Sequence, residues 1–131
     1  MSELPITLLA AATAVALNIW LGYRIAQLRE LHKVSVGDGG QEALLRRMRA
    51  QSNYIENAPF FLILLGALEI SGGNSVFLSV AAAIFFAARV AHALGMDGAE
   101  AQRLRAIGMI GQTIGLIALA IYAVITAFGA L

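Results

Sequence analysis

Residues 46–65 read Arg-Arg-Met-Arg-Ala-Gln-Ser-Asn-Tyr-Ile-Glu-Asn-Ala-Pro-Phe-Phe-Leu-Ile-Leu-Leu, a basic and polar segment that runs directly into an apolar one. In a helix, spacings of three and four residues place four of these side chains on one face: Arg46, Arg49, Asn53 and Glu56. An ionised Glu56 about one turn from an apolar run is costly in a low dielectric unless a neighbouring group compensates its charge. The stretch therefore predicts a membrane helix with a polar stripe, which is a candidate site. The alternative is that the arginines are anchors at the membrane edge, with Glu56 paired inside its own helix.

The composition of the whole chain supports a membrane setting. Of its 131 residues, 60% are hydrophobic and 13% are charged, which is too apolar for an ordinary soluble domain. The formal net charge of +1 gives no signal for nucleic acid as a partner. The sequence contains no cysteine, so any thiol chemistry must come from a ligand.

Four apolar segments are long enough to cross a bilayer. We predict spans at about residues 5–25, 54–70, 76–94 and 107–128 of a single domain, 1–131. The second helix is predicted to begin near Gln41 or Glu42 and to continue to about Ile70, so its first turns protrude from the membrane. The expected fold is an all-α integral membrane protein, a four-helix bundle with up-down-up-down topology.

The basic residues indicate the orientation of this bundle. All nine lie in the first and third connections or at the helix ends beside them. The positive-inside rule places both connections in the cytoplasm and both termini outside. Within the spans, Asn18 and Gln112 are predicted to hydrogen bond to neighbouring helices, and Gly111-x-x-x-Gly115 favours close helix packing.

The order Arg49-Ala50-Gln51-x-Asn53-x-x-Glu56-x-x-Pro59, followed by an apolar helix, resembles the signature of the MAPEG family. These are the membrane-associated proteins of eicosanoid and glutathione metabolism. Two further segments resemble the same family: residues 34–40, as in bacterial members, and Arg89-Val90-Ala91-His92. The resemblance covers essentially the whole chain. It implies a bacterial-type member, placed in the inner membrane, that assembles as a homotrimer.

The resemblance also implies a glutathione site between subunits at the cytoplasmic end. Arg49, Asn53 and Glu56 match the family's binding positions, and the other implied glutathione-binding residues are Arg29, Gln51, Arg89 and His92. Glutathione presents two carboxylates and one ammonium, for which arginine forks and one acid are complementary. Glutathione would act here as a co-substrate.

The catalytic residue that the resemblance implies is Arg105, which matches the family's thiol-activating arginine. A cation about 4 Å from a thiolate is worth roughly 4 kcal/mol at an effective dielectric near 20. Lowering the pKa of a thiol by about two units requires roughly 2.7 kcal/mol. One arginine is therefore enough to supply the thiolate, which is the reactive form.

The expected function is a membrane-bound glutathione-dependent transferase or peroxidase that acts on a hydrophobic electrophile. Asn57, Met96, Ala106 and Met109 replace aromatic or hydroxyl-bearing residues of other members, and these departures do not favour an eicosanoid substrate. The alternatives are a small four-helix transporter and a non-catalytic scaffold protein of the same family. No metal is expected, because the two histidines lack the repeated spacing of a metal site.

Overall fold

The computed structural model describes residues 3–129, and these residues form four long helices and no strand. The helices are α1 (Pro5–His32), α2 (Glu42–Ile70), α3 (Ser75–Gly95) and α4 (Gln102–Gly129), with one 3-10 turn (Ala99–Ala101) before α4. The all-α fold class is confirmed, and α2 has the bounds that the sequence predicts. Because α4 begins at Gln102, Arg105 lies inside its first turn and not in the connection ahead of it.

Three of these helices are long and apolar enough to cross a membrane: α1, α3 and α4. The 29-residue α2 does not reach the same apolar content, because its first half carries Glu42, three arginines and Glu56, and Glu69 lies near its end. The structure thus supports a helical membrane bundle. The crossing of α2 itself stays a prediction.

The turns follow the glycine signals in the sequence. The backbone of Lys33 ends α1 in the left-handed region, with a φ of 57°, and Gly37, Gly39 and Gly40 also have positive φ angles. At the opposite end, the side-chain oxygen of Asn74 accepts a hydrogen bond from the backbone N–H of Phe77 at 2.9 Å. This bond satisfies one of the first-turn donors of α3.

Aromatic packing joins α2 and α3 in the centre of the bundle. The rings of Phe61 and Phe85 are both fully buried and stack with their centroids 3.9 Å apart. Large apolar side chains such as Leu9 and Ile114 are exposed on the outer faces of α1 and α4. An apolar exterior of this kind is the expected boundary with lipid.

Glu69 fixes the start of α1 to the end of α2. Its carboxylate accepts hydrogen bonds from the backbone N–H groups of Ile6 at 2.9 Å and Thr7 at 2.7 Å, and from the Thr7 hydroxyl at 2.6 Å. First-turn N–H groups have no partner within their own helix, and the positive end of the helix dipole favours an anion. No spacing pattern in the sequence predicts this contact.

The helices α3 and α4 approach each other closely at Gly108. A Cβ atom built there would be 2.5 Å from the carbonyl oxygen of Ala88 and 2.5 Å from the nitrogen of His92. At Gly111 it would lie 3.0 Å from the Ala88 Cβ, and at Gly115 it would meet nothing within 4 Å among the described residues. The close packing that the spacing of Gly111 and Gly115 predicts therefore occurs one turn earlier, at Gly108.

We expect Gly108→Ala to destabilise the bundle by about 1–3 kcal/mol, the usual cost of inserting a methyl group into a packed contact. The added methyl would have to displace the backbone of α3. Thermal unfolding in mild detergent measures the effect. Gly115→Ala is the matched control in the same helix and should leave the transition unchanged, and equal shifts in both variants would contradict the packing described here.

Candidate functional site

A buried polar group lies between α3 and α4. Arg89 is 2% exposed, its Nη1 donates to Oε1 of Gln112, and its Nη2 lies 3.4 Å from Nδ1 of His92. Its guanidinium carbon also lies 5.8 Å from the ring centroid of Tyr54 on α2. These contacts confirm Gln112 as an interhelical partner. Within residues 3–129 no carboxylate contacts Arg89, and its Nε atom is buried without a hydrogen-bond partner.

A second polar group lies on the outward face of α2. Arg49 and Glu56 are exposed, and neither makes a hydrogen bond or ion pair with the residues that the structure describes. Asn53 lies between them, and its side-chain oxygen is buried and has no partner. The opposite face of the helix packs into the bundle through residues such as Tyr54 and Phe61. The intrahelical partner that the anchor interpretation requires for Glu56 is thus absent from the described part of the chain.

Two more of the predicted residues lie between α1 and α2. Gln51 donates from Nε2 to the side-chain oxygen of Asn18 at 3.2 Å, which confirms the interhelical bond expected for Asn18. Arg29 approaches the sulfur of Met48 at 3.8 Å, and its Nη1 atom is buried without a partner. Arg29 therefore holds an unused donor beside α2.

Arg105 lies at the start of α4, and its side chain is exposed. Its backbone rests directly against the end of α3, because a Cβ atom added at Gly95 would overlap the Arg105 nitrogen. No ion pair or hydrogen bond joins its guanidinium to another residue in the described range 3–129. Its charge is available to a ligand.

An ion-pair cluster that the sequence analysis missed ties three elements together at the same end of the bundle. Asp97, in the connection between α3 and α4, binds Nη2 of Arg24 through one carboxylate oxygen and Nε of Arg47, at 3.2 Å, through the other. Arg47 also donates from Nη1 to the carbonyl oxygen of Arg24 at 2.6 Å. The acids of the third connection, Asp97 and Glu100, at the end of the bundle that carries the cations, are the signal that could have indicated the cluster.

One chain does not bring all the predicted site residues together. Arg89 and His92 contact each other inside the bundle, whereas Arg49 and Glu56 lie on its outer surface and contact neither of them. Among the predicted site residues, the exposed charged side chains are Arg49, Arg105 and Glu56. Two cations and one carboxylate suit a ligand with carboxylates and an ammonium group. No group of three metal-binding side chains occurs in the part of the chain that was described.

Comparison with known proteins gives a family match over nearly the whole chain. The family model described as MAPEG family matches residues 7–125. The comparison with curated proteins gave no match. The matched range contains every residue of the candidate site.

Proposed function

The chain belongs to the MAPEG family, and we propose that it is a glutathione-dependent transferase or peroxidase of the membrane that acts on a hydrophobic electrophile. Membership makes it a membrane protein of the family of glutathione and eicosanoid metabolism. One observation carries the proposal beyond membership. The outward face of α2 presents Arg49 and Glu56 without partners among the described residues, at the start of an apolar segment.

Glutathione fits the groups that this face leaves unused. Arg49 would bind a carboxylate of the tripeptide, Glu56 its ammonium, and the unpartnered oxygen of Asn53 one of its amide N–H groups. Arg29 and Gln51 would complete the set that contacts the tripeptide, whereas Arg89 and His92, buried between α3 and α4, would support the site from inside the bundle.

Arg105 would stabilise the thiolate. The sulfur would bond to an electrophilic carbon as the leaving group departs with its electron pair, or would attack a peroxide oxygen so that the O–O bond breaks and an alcohol leaves. In the second case a further glutathione would reduce the resulting sulfenic acid to the disulfide and water.

The same face supports a homotrimer with the site between subunits. Exposure of the Arg49 and Glu56 charges to lipid would be costly. Contact of this face with a neighbouring subunit would avoid that cost. We propose that α2 also crosses the membrane, at about residues 54–70, within an up-down-up-down bundle in a bacterial inner membrane. Both termini would lie outside and connections one and three in the cytoplasm, which labelling of a cysteine introduced at Gly98 with an impermeant reagent would test.

Binding of glutathione to the purified protein tests the proposal. In mild detergent, calorimetry should show saturable binding of glutathione, and native mass spectrometry should show three copies of the chain. Arg49→Gln should weaken binding about tenfold or more, since a charge-assisted hydrogen bond contributes roughly 1.5–3 kcal/mol. Arg46→Gln is the matched control, because Arg46 is already bonded to Glu42 at 3.0 Å.

A protein that bound no glutathione would contradict this function. The transporter alternative would then be supported by substrate flux across liposomes, and the scaffold alternative by the absence of both activities. An Arg46→Gln variant as weak as Arg49→Gln would show that positive charge alone, and not the face of α2, attracts the tripeptide.

A further inference from the structure

Asp97 links α1 and α2 to the connection between α3 and α4. Its two carboxylate oxygens bind Arg24 of α1 and Arg47 of α2, while Asp97 itself lies between α3 and α4. We propose that Asp97 is a positioning residue that sets the distance between Arg105 and the polar face of α2. This inference rests on the proposed function, because it concerns the thiolate of bound glutathione.

The ion pairs of Asp97 are partly shielded from water, which strengthens the attachment of the connection between α3 and α4. The Arg24 side chain is 8% exposed and that of Asp97 is 38% exposed, so the pair is partly withdrawn from water. The Arg24 guanidinium also lies 4.8 Å from the ring centroid of Trp20, and Arg47 bonds the Arg24 carbonyl. Charge-assisted contacts that are shielded and share partners are stronger than isolated surface pairs.

The path from Asp97 to Arg105 is short and tightly packed. Three residues and one 3-10 turn, Ala99–Ala101, separate α3 from α4. The first turns of α4 rest on the last turns of α3 through the close approaches at Gly95 and Gly108. Arg105 is therefore fixed relative to α3. The contacts of Asp97 with Arg24 and Arg47 then fix this end of α3 and α4 relative to α1 and α2.

The ion pairs of Asp97 with Arg24 and Arg47 form a tether between the two halves of the bundle. This tether matters because α2 carries the groups proposed to bind the tripeptide. Arg49 follows Arg47 by two residues, and Asn53 and Glu56 follow within the next two turns. Through Arg47, Asp97 thus links the binding face to the residue that stabilises the thiolate. A cation–thiolate interaction falls with distance, so a small widening at this point would lower the thiolate fraction.

Positioning and simple charge effects of Asp97 have opposite signs. Removing a carboxylate near the site would by charge alone favour the thiolate and lower the apparent pKa of the glutathione thiol. Loosening the tether moves Arg105 away from the thiol and raises that pKa. The direction of the shift in one variant therefore separates the two roles.

The experiment follows thiolate absorbance of bound glutathione against pH in the full-length protein in mild detergent. Asp97→Asn should raise the apparent thiol pKa by about one unit and lower the thiolate fraction near pH 7 about threefold to tenfold. Its affinity for glutathione should change less than about threefold, because the binding residues are untouched. Asp97→Glu should recover part of the shift. Glu100→Gln is the control, since Glu100 is an exposed acid of the same connection with no partner among the described residues.

A thiol pKa that is unchanged or lowered in Asp97→Asn, with glutathione still bound, overturns the inference. If Asp97→Asn cannot be purified in folded form, Arg47→Lys removes the Nε contact with Asp97 while keeping the positive charge, and must show the same upward shift. Wild-type protein that bound no glutathione would instead remove the proposed function, and with it this inference. The two failures are therefore distinguishable.

Discussion

Replacing Arg105 with leucine will leave glutathione bound but remove most of its thiolate. Arg105 is exposed at the start of α4, and its guanidinium makes no hydrogen bond or ion pair with residues 3–129. The change should raise the thiol pKa by about two units, and so slow thiol attack near pH 7 roughly tenfold to a hundredfold. Far-ultraviolet thiolate absorbance gives the pKa, calorimetry gives the affinity, and conjugation of a hydrophobic electrophile gives the rate.

The chain offers a close control for this experiment. Arg103 is also an exposed cation at the start of α4, two residues earlier, and has no partner in the described residues. Arg103→Leu should leave the thiol pKa and the rate unchanged. Arg105→Lys should recover part of the thiolate, because it keeps the charge but not the planar fork. If Arg105→Leu binds glutathione with an unchanged thiol pKa, Arg105 is a membrane-edge anchor.

Replacing Glu56 with glutamine should produce the opposite pattern, a loss of binding with an unaltered thiol. Glu56 is exposed on the outward face of α2 and has no partner in the described chain, so the fold of one subunit does not depend on its charge. Losing the bond proposed between Glu56 and the glutathione ammonium should cost about 1.5–3 kcal/mol, a weakening of roughly tenfold to a hundredfold. Calorimetry measures the affinity, and thiolate absorbance at saturating glutathione measures the pKa.

A ligand variant identifies which group Glu56 binds. A glutathione analogue without the amino group should bind the wild-type protein as weakly as glutathione binds Glu56→Gln, and should lose little more in that variant. Glu42→Gln removes a carboxylate from the same helix where it is paired with Arg46, and should leave binding intact. Equal losses for both ligands in Glu56→Gln would show that Glu56 does not bind the ammonium.

Local patterns in the sequence were enough to predict the helices. Apolar length, the glycines after Lys33 and the turn before Asn74 mark where the helices end, and the bounds of α2 agree with the structure. The separation of polar and apolar residues on α2 also predicted the face that carries Arg49 and Glu56. These features depend on residues a few positions apart, which is why the sequence contains them.

Contacts between distant residues could not be predicted in the same way. Thr7 and Glu69 are 62 residues apart, and Arg24 and Asp97 are 73 apart, so no spacing rule relates them. The packing of α4 at Gly108 depends on which face of α3 it meets, and the Gly111 and Gly115 motif did not determine that face. The division of the site residues between the bundle interior and the outer face of α2 likewise depends on helix rotation.

The contact between Glu69 and the start of α1 has a consequence for how the protein is made. During synthesis, α1 emerges before α2. The N–H groups of Ile6 and Thr7 therefore cannot bond to Glu69, the last charged residue of α2, until most of α2 has been made. Amide groups without partners are costly in an apolar layer. The first turn of α1 is therefore expected to gain these two bonds only after synthesis has passed Glu69, so the joining of α1 to the end of α2 is a late step of assembly.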